Sequence, residues 1–257
     1  MINLPTQMDR DTDIGGPQHR FPATSYSAIM AAASDDQQVR QRALETIVAS
    51  YWKPAYKYLR VKWQTSNEDA KDLTQGFFTT AIEKRYFAGY DASKASFQTF
   101  LRTCLDRYVS NEKKAAQRLK RGAGAEHLSL DFAAAENELA RHQPAEGVTS
   151  DEFFHREWVR SVFTIALETL SERCEQSGRE VHFKLFERYD LRDDPSEKIS
   201  YASLASEFEL KTTDVTNYLA AVRRDFRKIL LEKVRELTGT EDEFRRVARE
   251  LLGLDVK

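Results

Sequence analysis

Long amphipathic periodicity with few helix breakers constrains this fold more than any single motif. Only 10 Gly and 6 Pro are spread over 257 residues, while the strong helix formers Ala, Leu, Glu, Lys and Arg are abundant. Leu44, Ile47, Val48, Tyr51, Ala55, Tyr58 and Leu59 keep an i, i+3, i+4, i+7 rhythm, which lays one apolar stripe along a helix. The same rhythm predicts helices over about residues 25–33, 37–63, 68–85 and 96–119, with Pro54 expected to kink or break the second. An all-α protein is expected. Its 41% hydrophobic and 31% charged content is that of a globular chain with a real core, and the length has room for one large or two modest domains.

Several classes are excluded at this level. The longest apolar runs, such as VFTIAL at 162–167, fall well below the roughly 18 residues a membrane span requires. The start, MINLPTQMDRD, lacks a basic segment followed by an apolar one, so no secretory signal is expected and the location is expected to be cytoplasmic. Cys104 and Cys174 have no CxxC spacing and no His nearby, so neither a disulfide framework nor a metal site is predicted. Asp9, Asp11 and Asp13 imitate the opening of a calcium loop, but Ile14 stands where Gly belongs and Arg20 where Glu belongs. No cofactor is expected.

Residues 69–78 read DAKDLTQGFF. On a helix, Ala70, Leu73, Phe77, Ala81 and Ile82 form an apolar stripe, and Asp69, Asp72, Gln75 and Thr79 share the other side. Two carboxylates at i, i+3 suit a cation, acid-base chemistry, a basic partner or plain solvent. The five His residues are scattered and no second acidic motif matches, which leaves an enzyme reading without further ligands or bases.

Charge is uneven along the chain. The net charge is −2, yet residues 102–121 carry seven basic residues against two acidic, and residues 223–235 six against two. Two basic helices in an otherwise acidic chain point to a bipartite contact with a polyanion. Residues 1–20 read as a flexible tail, 21–121 as one helical domain, 122–150 as a Gly-, Ala- and polar-rich linker, 151–237 as a second helical domain and 238–257 as an amphipathic extension.

Residues 200–222 fit a helix-turn-helix. Ser200 is an N-cap, Leu204 and Phe208 are buried positions of the first helix, and Ala205 is small where the second helix crosses. Leu210 fills the turn, Thr212 is placed to cap the second helix, and Val215 with Tyr218 or Leu219 seats it. The turn position that favours Gly, because φ is positive there, holds Glu209, a departure costing roughly 1 kcal/mol.

The order of these parts resembles a bacterial RNA polymerase sigma factor of the extracytoplasmic-function class. NEDAKDLTQGFF at 67–78 is similar to that family's core-polymerase-binding helix, and YDASKASFQTFLRTCLDRYVSNEKKAAQRLKR at 90–121 to its promoter-melting loop and minus-ten helix. YASLASEFELKTTDVTNYLAAVRRDFRKIL at 201–230 resembles the minus-thirty-five reader. The resemblance implies a region 2-like bundle and a region 4-like helix-turn-helix domain joined by a flexible linker. It assigns core binding to Asp69, Asp72 and Gln75, and minus-ten contacts to Tyr90, Lys94, Ser96, Phe97, Arg102, Arg107, Lys113 and Lys114. Minus-thirty-five contacts fall on Thr212, Thr213, Thr216, Asn217, Tyr218, Arg223, Arg224 and Arg227. The family usually carries Lys or Arg among the groove positions of that last helix; the neutral side chains here imply a weaker grip or a different consensus. The implied partners are core polymerase and promoter DNA.

FPATSYS at 21–27, DLTQGFF and the long spacing before Trp158 further resemble a subgroup of the family associated with Ser/Thr kinases. Thr65, Ser66 and Thr74 are then the candidates for phosphorylation. A helix-turn-helix regulator that never meets core polymerase is the alternative, and it leaves DAKDLTQGFF and the first basic helix without a purpose.

Overall fold

The computed structural model describes residues 27–116, 130–141, 147–192 and 199–253, and every regular element among them is helical. In chain order these are α1 (Ala28–Ala31), α2 (Gln37–Lys62), α3 (Asn67–Glu83), a 3-10 turn (Tyr86–Gly89), α4 (Phe97–Ala116) and α5 (Phe132–Arg141). They continue with α6 (Ser150–Gln176), α7 (Glu180–Asp190), α8 (Tyr201–Glu207), α9 (Thr212–Glu236) and α10 (Glu241–Leu252). No helix among the described residues is long and apolar enough to cross a membrane. The tail at 1–20, FPATSYS up to Tyr26, and Arg118, Lys120 and Arg121 lie outside the described residues.

Side-chain caps set where several helices begin. Asp36 accepts from the N–H groups of Gln38 and Val39, at 2.8 and 3.1 Å, and so starts α2. Ser66 does this for α3 through Asp69 N–H, and Thr240 for α10 through Glu243 N–H. α2 runs through Pro54 without a break; the proline leaves the Ser50 carbonyl without its helical partner, but burial of both flanks holds the helix together.

The chain divides into two compact units, and the division differs from the one composition suggests. The larger holds the described parts of Tyr26–Thr164 and Lys233–Lys257, and the smaller contains Ile165–Glu232. The first half of α6 therefore belongs with α2 and not with α8 and α9. Tyr51 stacks on Phe154 and Trp158, with centroids 6.4 and 6.2 Å apart, and Tyr58 meets Phe154 edge-on. The C-terminal extension is likewise built in: Phe244, Val247, Ala248 and Leu251 of α10 are buried.

The stretch expected to be a flexible linker contains α5, which is docked on α2. Phe132 packs against Trp52 and Tyr56, and Ala135 is fully buried. Arg60 holds Glu136 at 2.6 Å, and Lys53 and Lys57 hold Glu138 at 2.9 and 2.7 Å. Burial works against ionisation of Glu138, but its two lysines prevail and hold it below the usual carboxylate range. Lys57 also meets the buried Glu157 of α6 at 2.7 Å, so one ammonium ties three helices.

Candidate functional site

In the smaller unit, α8 and α9 are joined by a short turn over the stretch expected to be a helix-turn-helix. Ser200 caps α8 by accepting from Ser203 N–H at 3.0 Å, and Leu204, Ala205, Val215 and Leu219 are buried between the helices and their support. Glu209 adopts φ +53°, the left-handed conformation expected at that turn. Its neighbour Leu210 donates N–H to the Ala205 carbonyl at 2.8 Å, closing the end of α8 in the manner of a Schellman motif. Thr212 is the first residue of α9 rather than its cap.

Burying Val215, Leu219 and Val222 turns the opposite face outward. Thr212, Thr213, Thr216 and Asn217 are all exposed on the first turns of α9. Thr216 gives its hydroxyl proton to the Thr212 carbonyl at 3.0 Å, which leaves the amide of Asn217 and the hydroxyl of Thr213 as the most versatile groups of the face.

Two residues assigned to this face are used otherwise. Tyr218 is half-buried and stacks on His182, with centroids 4.0 Å apart, so it supports α9 from behind. Burial and then Arg179 keep the His182 imidazole below its ordinary pKa. Arg223 forms a double hydrogen bond with Asp190, at 2.9 and 3.0 Å, and lies 5.3 Å over the Tyr189 ring. It locks α9 to α7 and is not available as a phosphate clamp. Arg224 is exposed and Arg227 is half-buried.

In the larger unit the loop before α4 is also tighter than expected. Phe97 is fully buried at the centre of an aromatic cluster with Tyr51, Phe87, Tyr90 and Phe100. It is core and cannot stack on a base. Tyr90 is half-buried and donates its hydroxyl to the Ala95 carbonyl at 3.1 Å; burial, then the charges of Glu243 and Asp91, push its pKa up to about 12. Ser96 accepts from Thr99 N–H at 3.3 Å and so caps α4.

The basic side chains sort into bound and open. Arg102 is engaged by Asp151 at 2.7 Å and Asp106 at 2.8 Å, with 17% of its side chain exposed, so it braces α4 against α6 instead of holding phosphate. Lys94 is 80% exposed but meets Asp91 at 3.1 Å. Arg107, Lys113 and Lys114 are exposed, and Lys113 lies 4.7 Å over the Trp63 ring.

On α3, Glu68, Asp69 and Asp72 are exposed and Gln75 is half-buried. Asp69 accepts from the Ser66 hydroxyl at 2.7 Å, and Glu68 meets Lys71 at 2.8 Å. Thr65 and Thr74 are buried; each gives its hydroxyl proton to a backbone carbonyl, of Leu59 at 2.9 Å and of Ala70 at 2.7 Å. Neither offers a hydroxyl to a kinase in the folded chain, and Ser66 is the exposed one of the three candidates.

The residues that sequence reasoning missed are on and before α10. A Cβ on Gly239 would lie 2.6 Å from the Tyr90 hydroxyl oxygen, and the Glu243 carboxylate sits buried beside the start of α4. The signal was present as a capping box at Thr240 and Glu243, but its partners are about 150 residues away. No protein family, curated protein or solved structure matches the chain.

Proposed function

We propose that the chain is an RNA polymerase sigma factor that binds core polymerase and directs promoter recognition, strand opening and transcription initiation. The observation that carries this reading is the exposed polar face of α9, where Thr213 and Asn217 project from the first turns of a helix-turn-helix. Threonine and asparagine side chains at that place reach base edges in a major groove. The exposed carboxylates Asp69 and Asp72 of α3 form a second surface suited to a basic partner, where they steer docking. Arg107, Lys113 and Lys114, exposed on α4, supply salt-dependent phosphate contacts.

The reading is tested by run-off transcription with purified core polymerase on a promoter library, comparing the wild-type chain with Asp72→Ala. The wild type gives transcripts; the variant gives fewer, with a loss in core affinity. Absence of both core binding and transcripts for the wild type sinks the proposal.

The internal use of Phe97 and Arg102 favours one second reading, a helix-turn-helix regulator that acts on duplex DNA without core polymerase. Pull-down with core separates the two, since the regulator ignores it. A Ser/Thr kinase remains a proposed partner through Ser66, where a phosphate adds about −1.5 to −2 charge to the acidic face near the positive end of α3.

A further inference from the structure

The α10 helix lies against the loop and the helix start that, on the sigma-factor reading, receive unpaired promoter DNA. Two contacts across elements hold it there. Gly239 abuts Tyr90 so closely that a Cβ would come within 2.6 Å of its hydroxyl oxygen and 2.8 Å of Cε1. Glu243, 8% exposed, accepts from Gly239 N–H at 2.9 Å and so fixes the start of α10 beneath that contact. His155 of α6 bridges the other two helices: Nδ1 is 2.8 Å from Gln98 Oε1 of α4, and Nε2 is 2.7 Å from Glu250 of α10.

The first turn of this cover is acidic. α10 opens with Glu241, Asp242 and Glu243. Thr240, Asp242, Glu243 and Arg246 line a hollow of about 270 Å³ whose other wall is Ala92, Ala95 and Ser96. At this hollow Asp242 and the buried Glu243 bring two carboxylates to one cation, Arg246, so a phosphate approaching the loop finds no surplus of positive charge.

We infer that α10 is an intramolecular cover that holds the 90–97 segment closed and must lift before that segment takes an unpaired base; this rests on the proposed sigma function. The cover is suited to lifting. It is a 12-residue helix near the C-terminal end of the described chain, and isolated helices of that length are marginal in water. Its buried face of Phe244, Val247, Ala248 and Leu251 supplies the attachment, so release is a local unfolding step.

The test uses the full chain with Gly239→Ala, which forces Tyr90 and α10 apart, and Val247→Asp, which charges the buried face; Arg245→Ala on the exposed face is the control. Hydrogen exchange of residues 93–97 reads whether the cover has lifted. Fluorescence anisotropy with a pool of random 12-nucleotide single DNA strands reads access, and pull-down with core polymerase is run in parallel. Both cover variants exchange faster at 93–97 and bind the strands at least about tenfold more tightly than wild type, as expected when a competent state stops being rare, while Arg245→Ala changes neither. Faster exchange with unchanged or weaker strand binding overturns the inference, as does unchanged exchange in both cover variants. If strand binding rises but no variant and no wild-type chain binds core, the sigma reading falls while the cover stands as a gate on single-stranded DNA.

Discussion

Replacing Lys57 by Met isolates the contribution of one buried charge to the architecture of the larger unit. Lys57 is 2% exposed, with Nζ 2.7 Å from both Glu138 and Glu157. Methionine keeps the aliphatic stem and removes the ammonium, which leaves Glu157 buried at 3% exposure. Removing one partner of a buried ion pair typically costs about 3–5 kcal/mol, because the other charge has lost both water and its counterion. Two features favour the low end: Arg160 still reaches Glu157, and Lys53 still holds Glu138 at 2.9 Å. The expected loss is therefore about 3 kcal/mol, which for a unit of this size lowers the melting midpoint by roughly 6–12 °C. Adding Glu157→Met removes the stranded carboxylate, and Arg160, 30% exposed, turns to solvent; the double variant should lose only about 1 kcal/mol, roughly 2 kcal/mol less than Lys57→Met alone. Urea titration followed by circular dichroism gives the energies, and hydrogen exchange over 132–141 shows whether α5 loosens with Glu138. A single-variant loss below about 1 kcal/mol, or additive losses in the double variant, would refute the account of Lys57 as the tie between α2, α5 and α6.

Four further outcomes follow from the geometry. Glu209→Gly should stabilise the smaller unit by up to about 1 kcal/mol, since φ +53° strains a side-chain-bearing residue; destabilisation in a denaturant titration would contradict that. Thr213→Ala and Asn217→Ala should each weaken cognate duplex binding by about 1–3 kcal/mol with an unchanged melting curve, whereas Arg223→Ala, which strands Asp190, should move the melting curve. Treatment of the folded chain with a Ser/Thr kinase should place phosphate on Ser66 but not on Thr65 or Thr74, and a mass-spectrometric map with phosphate on Thr74 would show that the buried hydroxyl opens. Burial raises the Glu243 pKa, and its titratable neighbours are Tyr51, Tyr90 and Arg246. The docked helix therefore keeps its full stability below the ordinary carboxylate pKa and loses part of it as pH rises through the raised value. Glu243→Gln retains an acceptor for Gly239 N–H and should make α10 amides exchange more slowly than wild type at neutral pH, the two converging below about pH 4; a wild-type chain that exchanges as slowly at pH 7 leaves no role for the buried charge.

How much of this was legible in the sequence depends on how local the cause is. α2, α3 and α4 start within a residue of their expected positions because caps and apolar stripes are properties of neighbouring residues. The two helices α8 and α9 and their tight turn were legible for the same reason, and Glu209 takes the left-handed conformation that the expected pattern reserves for glycine. What could not be read is decided across long separations. FAAAENELAR looks like one weak helical turn in a Gly- and Ala-rich linker, and it becomes α5 because Arg60, Lys53 and Lys57, about 80 positions away, supply the counterions for Glu136 and Glu138.

The same distance effect decides which side chains remain for a partner. Arg102 and Arg223 belong to runs whose composition announces a polyanion surface, yet each is held by carboxylates from another helix, Asp151 and Asp190. Phe97, a minus-ten contact on the family resemblance, has the burial of a core residue. A recognition surface is thus the remainder after folding has taken what it uses. In the smaller unit that remainder is the Thr213, Thr216 and Asn217 face with Arg224; in the larger it includes the α3 carboxylates with Arg107, Lys113 and Lys114. Each arginine diverted into the fold removes about one phosphate contact and hence about 0.9 from the salt slope of binding. On the proposed function, a chain whose composition points to a polyanion contact would rely more on the partner proposed to meet Asp69 and Asp72 than on its own cations.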